Sequence, residues 1–151
     1  ANARVGSRQA FESCQRRLGD LTQMVRGDRF PSGGTPPESL DWSAVIGHSP
    51  VMERLEIELD LLKQMSSSEK NFKTTSAKIL HSAELIALLG TTVQQEGMDY
   101  AGEDEYLAFA KQMTSAASDI VKACRNSNRG LVADAVNRVS QSCSDCHGVF
   151  R

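Results

Sequence analysis

Residues 103–151 read EDEYLAFAKQMTSAASDIVKACRNSNRGLVADAVNRVSQSCSDCHGVFR. Two apolar stripes run through this stretch. Tyr106, Phe109, Met113, Ala117, Ile120 and Cys124 recur at intervals of three and four, and so do Val132, Val136, Val139, Cys143, His147 and Phe150. That spacing puts each set on one face of a helix. The spacing predicts helices over about 103–126 and 130–149, with NSNRG as a short turn. Glu103, Asp104 and Glu105 crowd the first N-terminus, where the helix dipole favours negative charge. Two amphipathic helices joined by so short a turn lie antiparallel.

The same pattern extends towards the N-terminus. A helix over about 72–96 carries Phe72, Ile79, Ala83, Ile86 and Val93, with Gly97 as its C-terminal cap. Before it, SSSEKN (66–71) breaks the pattern, and Ser66 with Glu69 suits a capping box. A further helix starts at Ser49, with Pro50 in the first helical position, where its missing N–H is not needed. Met52, Leu55, Leu59 and Leu62 form its stripe. Residues 28–48 hold three of the four prolines and a Gly pair, which punctuate chain rather than build elements. Trp42 is expected to pin this linker to the bundle. Residues 5–27 form another amphipathic helix, with Phe11, Cys14, Leu18, Leu21 and Val25 on one stripe.

The expected fold is therefore all-α: an antiparallel four-helix bundle over 49–151, preceded by an additional N-terminal helix and linker over 1–48. Length and composition agree. The chain has 151 residues, 40% of them apolar, which is globular rather than disordered composition. Helix formers dominate and β-branched runs are scarce. The formal net charge is −2, and the basic residues are scattered rather than gathered in a stripe, which argues against nucleic acid as a partner. No apolar run is long enough to span a bilayer.

Cys143-Ser144-Asp145-Cys146-His147 is a CxxCH sequence, the attachment signature of c-type haem. On a helix, positions i, i+3 and i+4 share a face. Two thiols can reach the two vinyl groups of one haem while the imidazole lies beneath its iron. Phe150, at i+7, extends that face. A structural zinc site would need a second Cys or His pair at close spacing, and a thioredoxin-like CxxC would sit near a βαβ unit. This chain has neither. The expected cofactor is one haem c held by Cys143 and Cys146, with His147 as proximal iron ligand. Such attachment requires an export route, so a signal or a larger parent sequence is expected upstream of Ala1, and the expected location is the bacterial periplasm.

CSDCHGVFR, residues 143–151, resembles the C-terminus of the cytochrome c′ family, whose chains end in CxxCHxx[Tyr/Phe][Arg/Lys]. Cys143, Cys146, His147, Phe150 and Arg151 match that pattern position by position. The resemblance implies an exported four-helix bundle with one haem near the last helix, and a homodimer formed through the early helices. Two alignments of the first bundle helix follow. SPVMERLEIELDLL (49–62) is similar to the first helix of the low-spin, b-type cytochrome of the same fold, where a Met near the helix start binds iron. That residue is Met52 here. RQAFESCQRRLGDLTQMVRG (8–27) is similar to the cytochrome c′ opening helix, and would place Phe11 or a neighbour over a five-coordinate iron. The first alignment is favoured, because it leaves four helices joined by short turns.

His81, mid-helix in AKILHSAEL, is the alternative distal ligand. His48 reads as a loop residue. Arg151, one turn beyond His147, suits a charge-assisted bond to a haem propionate; Arg138 and Arg129 are weaker candidates. Cys14 and Cys124 read as buried thiols, although an oxidising compartment would permit a disulfide between them. The five acids of 96–105 read as a solvated, helix-capping loop, with steering of a basic redox partner as the alternative.

The expected function is one-electron transfer to a redox partner protein, with the potential set by axial ligand and haem burial. No residue is required as acid, base or nucleophile, so no enzyme activity is expected. Two alternatives stay open: a haem protein that binds or senses a diatomic gas (NO or CO) at an open distal site, and an electron-transfer domain of a larger redox enzyme.

Overall fold

The computed structural model describes residues 8–26 and 42–150. All regular structure among them is helical: α1 (Arg8–Val25), α2 (Trp42–Val45), α3 (His48–Ser66), α4 (Glu69–Thr92), α5 (Asp104–Arg125) and α6 (Arg129–Val149). The chain divides into two compact units, residues 1–39 and 40–151. In the first, α1 is an amphipathic helix whose Phe11, Cys14, Leu18, Leu21 and Val25 fall on one stripe. In the second, α3 to α6 form the four-helix bundle. Residues 42–47, which read as linker, belong to this second unit, and Trp42 and Ile46 pack against its core.

Consecutive helices pack most closely: α3 on α4, α4 on α5, α5 on α6. The α3–α6 seam that closes the ring is the lightest of the four. The core holds Val51, Leu55 and Leu62 of α3, Ile79 and Ile86 of α4, Ile120 of α5, and Val132, Val136 and Val139 of α6. Each fully buried side chain of this kind contributes about 1.5–3 kcal/mol of hydrophobic stabilisation. Small residues let the helices approach. A Cβ built on Gly90 of α4 would sit 2.7 Å from Thr114 Oγ1 and 2.9 Å from Met113 Cε, so α5 crosses α4 at a point only glycine leaves free.

The helix ends show where the caps lie. α3 begins at His48, one residue before the expected Ser49, so Pro50 takes the third helical position; it is still within the first turn, where no N–H is required. Gly47 precedes the helix and supplies no side-chain cap. Ser68, rather than Ser66, caps α4, accepting a 3.2 Å bond from Asn71 N. Ser66 is buried in the last turn of α3, where its hydroxyl donates to Leu62 O at 2.7 Å and is not free to cap. α4 ends at Thr92, and Gly97, with φ 90°, turns the loop beyond instead of capping the helix.

α5 carries Asp104 and Glu105 in its first turn and Lys122 and Arg125 in its last, matching the helix dipole at both ends. Its exit is a Schellman turn: Asn128 N donates to Ala123 O and Ser127 N to Cys124 O, both at 2.9 Å, with Ser127 at φ 53°. Asn128 then caps α6 by accepting from Leu131 N at 3.1 Å. Arg129 ties this end of the bundle together. Its guanidinium donates to Ser66 O at 3.1 Å and lies 3.4 Å from the Glu69 carboxylate. The α3–α6 seam is thus pinned where α6 begins, and it opens towards the end where α6 finishes.

Candidate functional site

That opening is a cavity of about 560 Å³. Its size falls in the range of small-molecule and cofactor sites. α3 supplies one wall, with Met52, Leu55 and Leu59 facing in at helical spacing. α5 supplies Phe109, Ala110 and Met113, and Val93 follows the end of α4. α6 brings Cys143, Cys146 and His147 to the same cavity. The interior is chiefly apolar. Charged side chains of α3 (Glu53, Glu56, Asp60 and Lys63) stand along its border.

The two cysteines are half-buried and carry free thiols. Burial pushes the Cys143 thiol up from its ordinary range, reinforced by the neighbouring Cys146 and opposed by Lys63. Burial raises Cys146 as well. Both are therefore neutral S–H groups at neutral pH. Cys143 Sγ lies 3.9 Å from Met113 Sδ, so a soft, polarisable contact backs the first thiol. His147 lines the same cavity and is otherwise exposed at the end of α6. Two thiols one turn apart beside an imidazole can hold a flat, apolar, metal-bearing group by two covalent bonds and one coordinate bond. Among the described residues no three His, Cys, Asp or Glu side chains converge as a metal-ion site of their own.

The remaining sequence candidates fall differently. Met52 is half-buried and faces the cavity. His81 does not: it is exposed midway along α4, a helix that reaches the cavity only through Val93 just past its end. The structure therefore removes His81 from the site. Phe150 is also off the cavity wall. α6 ends at Val149 and Phe150 turns extended (φ −110°, ψ 122°), so its ring leaves the helical i+7 position. It packs instead tilted against Tyr100 and edge-on to Tyr106, with ring centres 5.2 and 5.6 Å apart. Arg151 lies outside the described residues. Arg138 pairs with Asp119 of α5 at 3.0 Å, and Arg129 is committed to Ser66 and Glu69, so neither lines the cavity. Cys124 is buried and its thiol donates to Ser76 O at 3.3 Å, whereas Cys14 is exposed rather than buried.

Two residues that sequence reasoning passed over stand on the cavity wall. His48, read as a loop residue, is the first residue of α3 and lies one turn before Met52. Tyr106, read as core, is 2% exposed and turns its ring to the same end. Among the described residues neither Tyr106 Oη nor His48 Nδ1 has a hydrogen-bond partner, although both atoms are buried. The i, i+4 spacing of His48 and Met52 was the available signal for the first. Unpartnered polar atoms at the end of an apolar cavity suit a largely apolar ligand with a polar periphery. Haem has that character, and the residues present fit it.

No family model matches the chain, nor does any curated protein or solved structure.

Proposed function

We propose that this protein is a monohaem c-type cytochrome that carries one electron at a time in an exported compartment. One observation carries the reading: the CxxCH residues Cys143, Cys146 and His147 line one chiefly apolar cavity, and Met52 lines the same cavity from α3. The haem supplies an iron that cycles between ferric and ferrous. The chain supplies the rest. Cys143 and Cys146 would hold the group covalently through thioether bonds, a redox-neutral attachment in which each thiol hydrogen is retained. The His147 imidazole and the Met52 thioether would be the donors that hold its iron. A methionine donor would raise the potential relative to two histidines, and Leu55, Leu59, Phe109 and Val93 would give the group apolar surroundings. None of these groups acts as acid or base, in keeping with a carrier rather than an enzyme.

Absorption spectra of the purified protein test this reading. Ferric and ferrous forms should be low-spin and unchanged by carbon monoxide, with a ferric methionine charge-transfer band that disappears in Met52→Ala. A high-spin spectrum that shifts with carbon monoxide would remove Met52 from the iron and favour binding of a diatomic gas.

A further inference from the structure

The end of the cavity where α3 begins carries three polar features that lack partners among the described residues. Tyr106 is 2% exposed and its hydroxyl has no hydrogen-bond partner among the described residues. His48 Nδ1 is buried without one as well, and the two rings lie 6.2 Å apart. The third feature is the start of α3 itself. Gly47 offers no side-chain cap to the first-turn N–H groups, and Ser49 of that turn is on the cavity wall. An unsatisfied buried polar group costs about 1–3 kcal/mol. Two of them at one end of one cavity, beside an uncapped helix N-terminus, form a ready acceptor-binding site.

The chemistry of the acceptor follows from its surroundings. Burial, Cys146, Asp99 and Tyr100 all push the Tyr106 hydroxyl well above its ordinary range, so it stays protonated and can only be a neutral donor or acceptor. Glu53 stands on the wall one turn further along α3, and the charge of Asp99 is felt at Tyr106. These acids disfavour capture of a free anion by charge alone. A carboxylate already tethered in the cavity by other bonds escapes that objection, because the short-range hydrogen bonds then decide. We propose that Tyr106 and His48, with the open first turn of α3, hold a propionate carboxylate of the haem. This assignment rests on the haem reading above. It makes both residues positioning groups that fix how the flat ring sits in the cavity.

The holoprotein tests it by infrared spectroscopy, with the haem carboxylates labelled with ¹³C through a labelled biosynthetic precursor. Labelling separates the propionate stretches from those of the protein's own acids. In Tyr106→Phe, which removes the hydroxyl and keeps the ring, the ¹³C carboxylate band should shift, and it should shift further when His48→Leu is added. His48→Leu alone, at a half-buried position, gives the same readout if the Tyr106 variant does not fold. Bands unmoved in the variants, with covalent haem present, would overturn the carboxylate assignment and leave the haem reading standing. Absence of covalent haem from the parent protein would overturn both.

Discussion

Gly90→Ala is the sharpest perturbation of the bundle. The new Cβ would meet Thr114 Oγ1 at 2.7 Å and Met113 Cε at 2.9 Å. The two obstacles are unequal. Met113 Cε is the end of a flexible chain that can swing aside. Thr114 Oγ1 is held, because it donates to Ala110 O at 2.8 Å and accepts from Gln94 Nε2 at 3.3 Å. Overpacking of this kind costs about 1–3 kcal/mol. Alanine in a helix interior returns about 1 kcal/mol relative to glycine. The net expectation is a loss of about 1 kcal/mol. In a Thr114→Ala background the fixed obstacle is gone, and the same substitution should gain about 0.5–1 kcal/mol through helix propensity. Denaturant unfolding followed by circular dichroism on the four proteins of this cycle measures both numbers. The substitution having the same sign in both backgrounds would refute the close approach of α4 and α5.

The other expectations concern the turn between α5 and α6 and the charge pair beside it. Ser127 adopts φ 53° at the position where a Schellman turn favours glycine. Ser127→Gly should therefore stabilise by about 0.5–1 kcal/mol in the same unfolding assay, after the entropy that glycine adds to the unfolded chain. Hydrogen bonds from Arg138 and Lys122 hold the Asp119 carboxyl below its ordinary range. A depressed carboxyl contributes stability that is present above its unfolded pKa, about 3.9, and lost as pH falls through the lower folded value. The pair is substantially exposed, so the contribution is well under 1 kcal/mol. Arg138→Gln should lower stability slightly at pH 7, and the gap to the parent protein should close below about pH 4, as read by melting curves across that range.

Helix existence was legible in residues 49–149 because each stripe repeats over several turns. The ends were less so. SSSEKN offers three serines as caps, and only packing decides between them: Ser66 is drawn into the α3 core, leaving Ser68 free to cap. His48 was lost for a related reason, since Ser49-Pro50 is so favourable a start that the histidine before it read as loop. Phe150 followed helical spacing on paper, but the helix ends one residue earlier and its ring joins Tyr100 and Tyr106. His81 was undecided by spacing alone. It depends on which face of α4 meets α3 and α5, a tertiary fact. The CxxCH residues were plain, because five consecutive positions on one helix need no tertiary information to share a face. The cavity opposite them was not, because it arises from the light contact between α3 and α6, the two bundle helices furthest apart in sequence.

The central claim is covalent attachment of one haem through Cys143 and Cys146. Intact mass spectrometry under denaturing conditions tests it most directly, on protein produced with a c-type maturation system. The account predicts that the chain retains the mass of one haem after unfolding, and that the Cys143→Ala/Cys146→Ala double variant does not. A parent chain whose mass is that of the polypeptide alone, despite active maturation machinery, would contradict it.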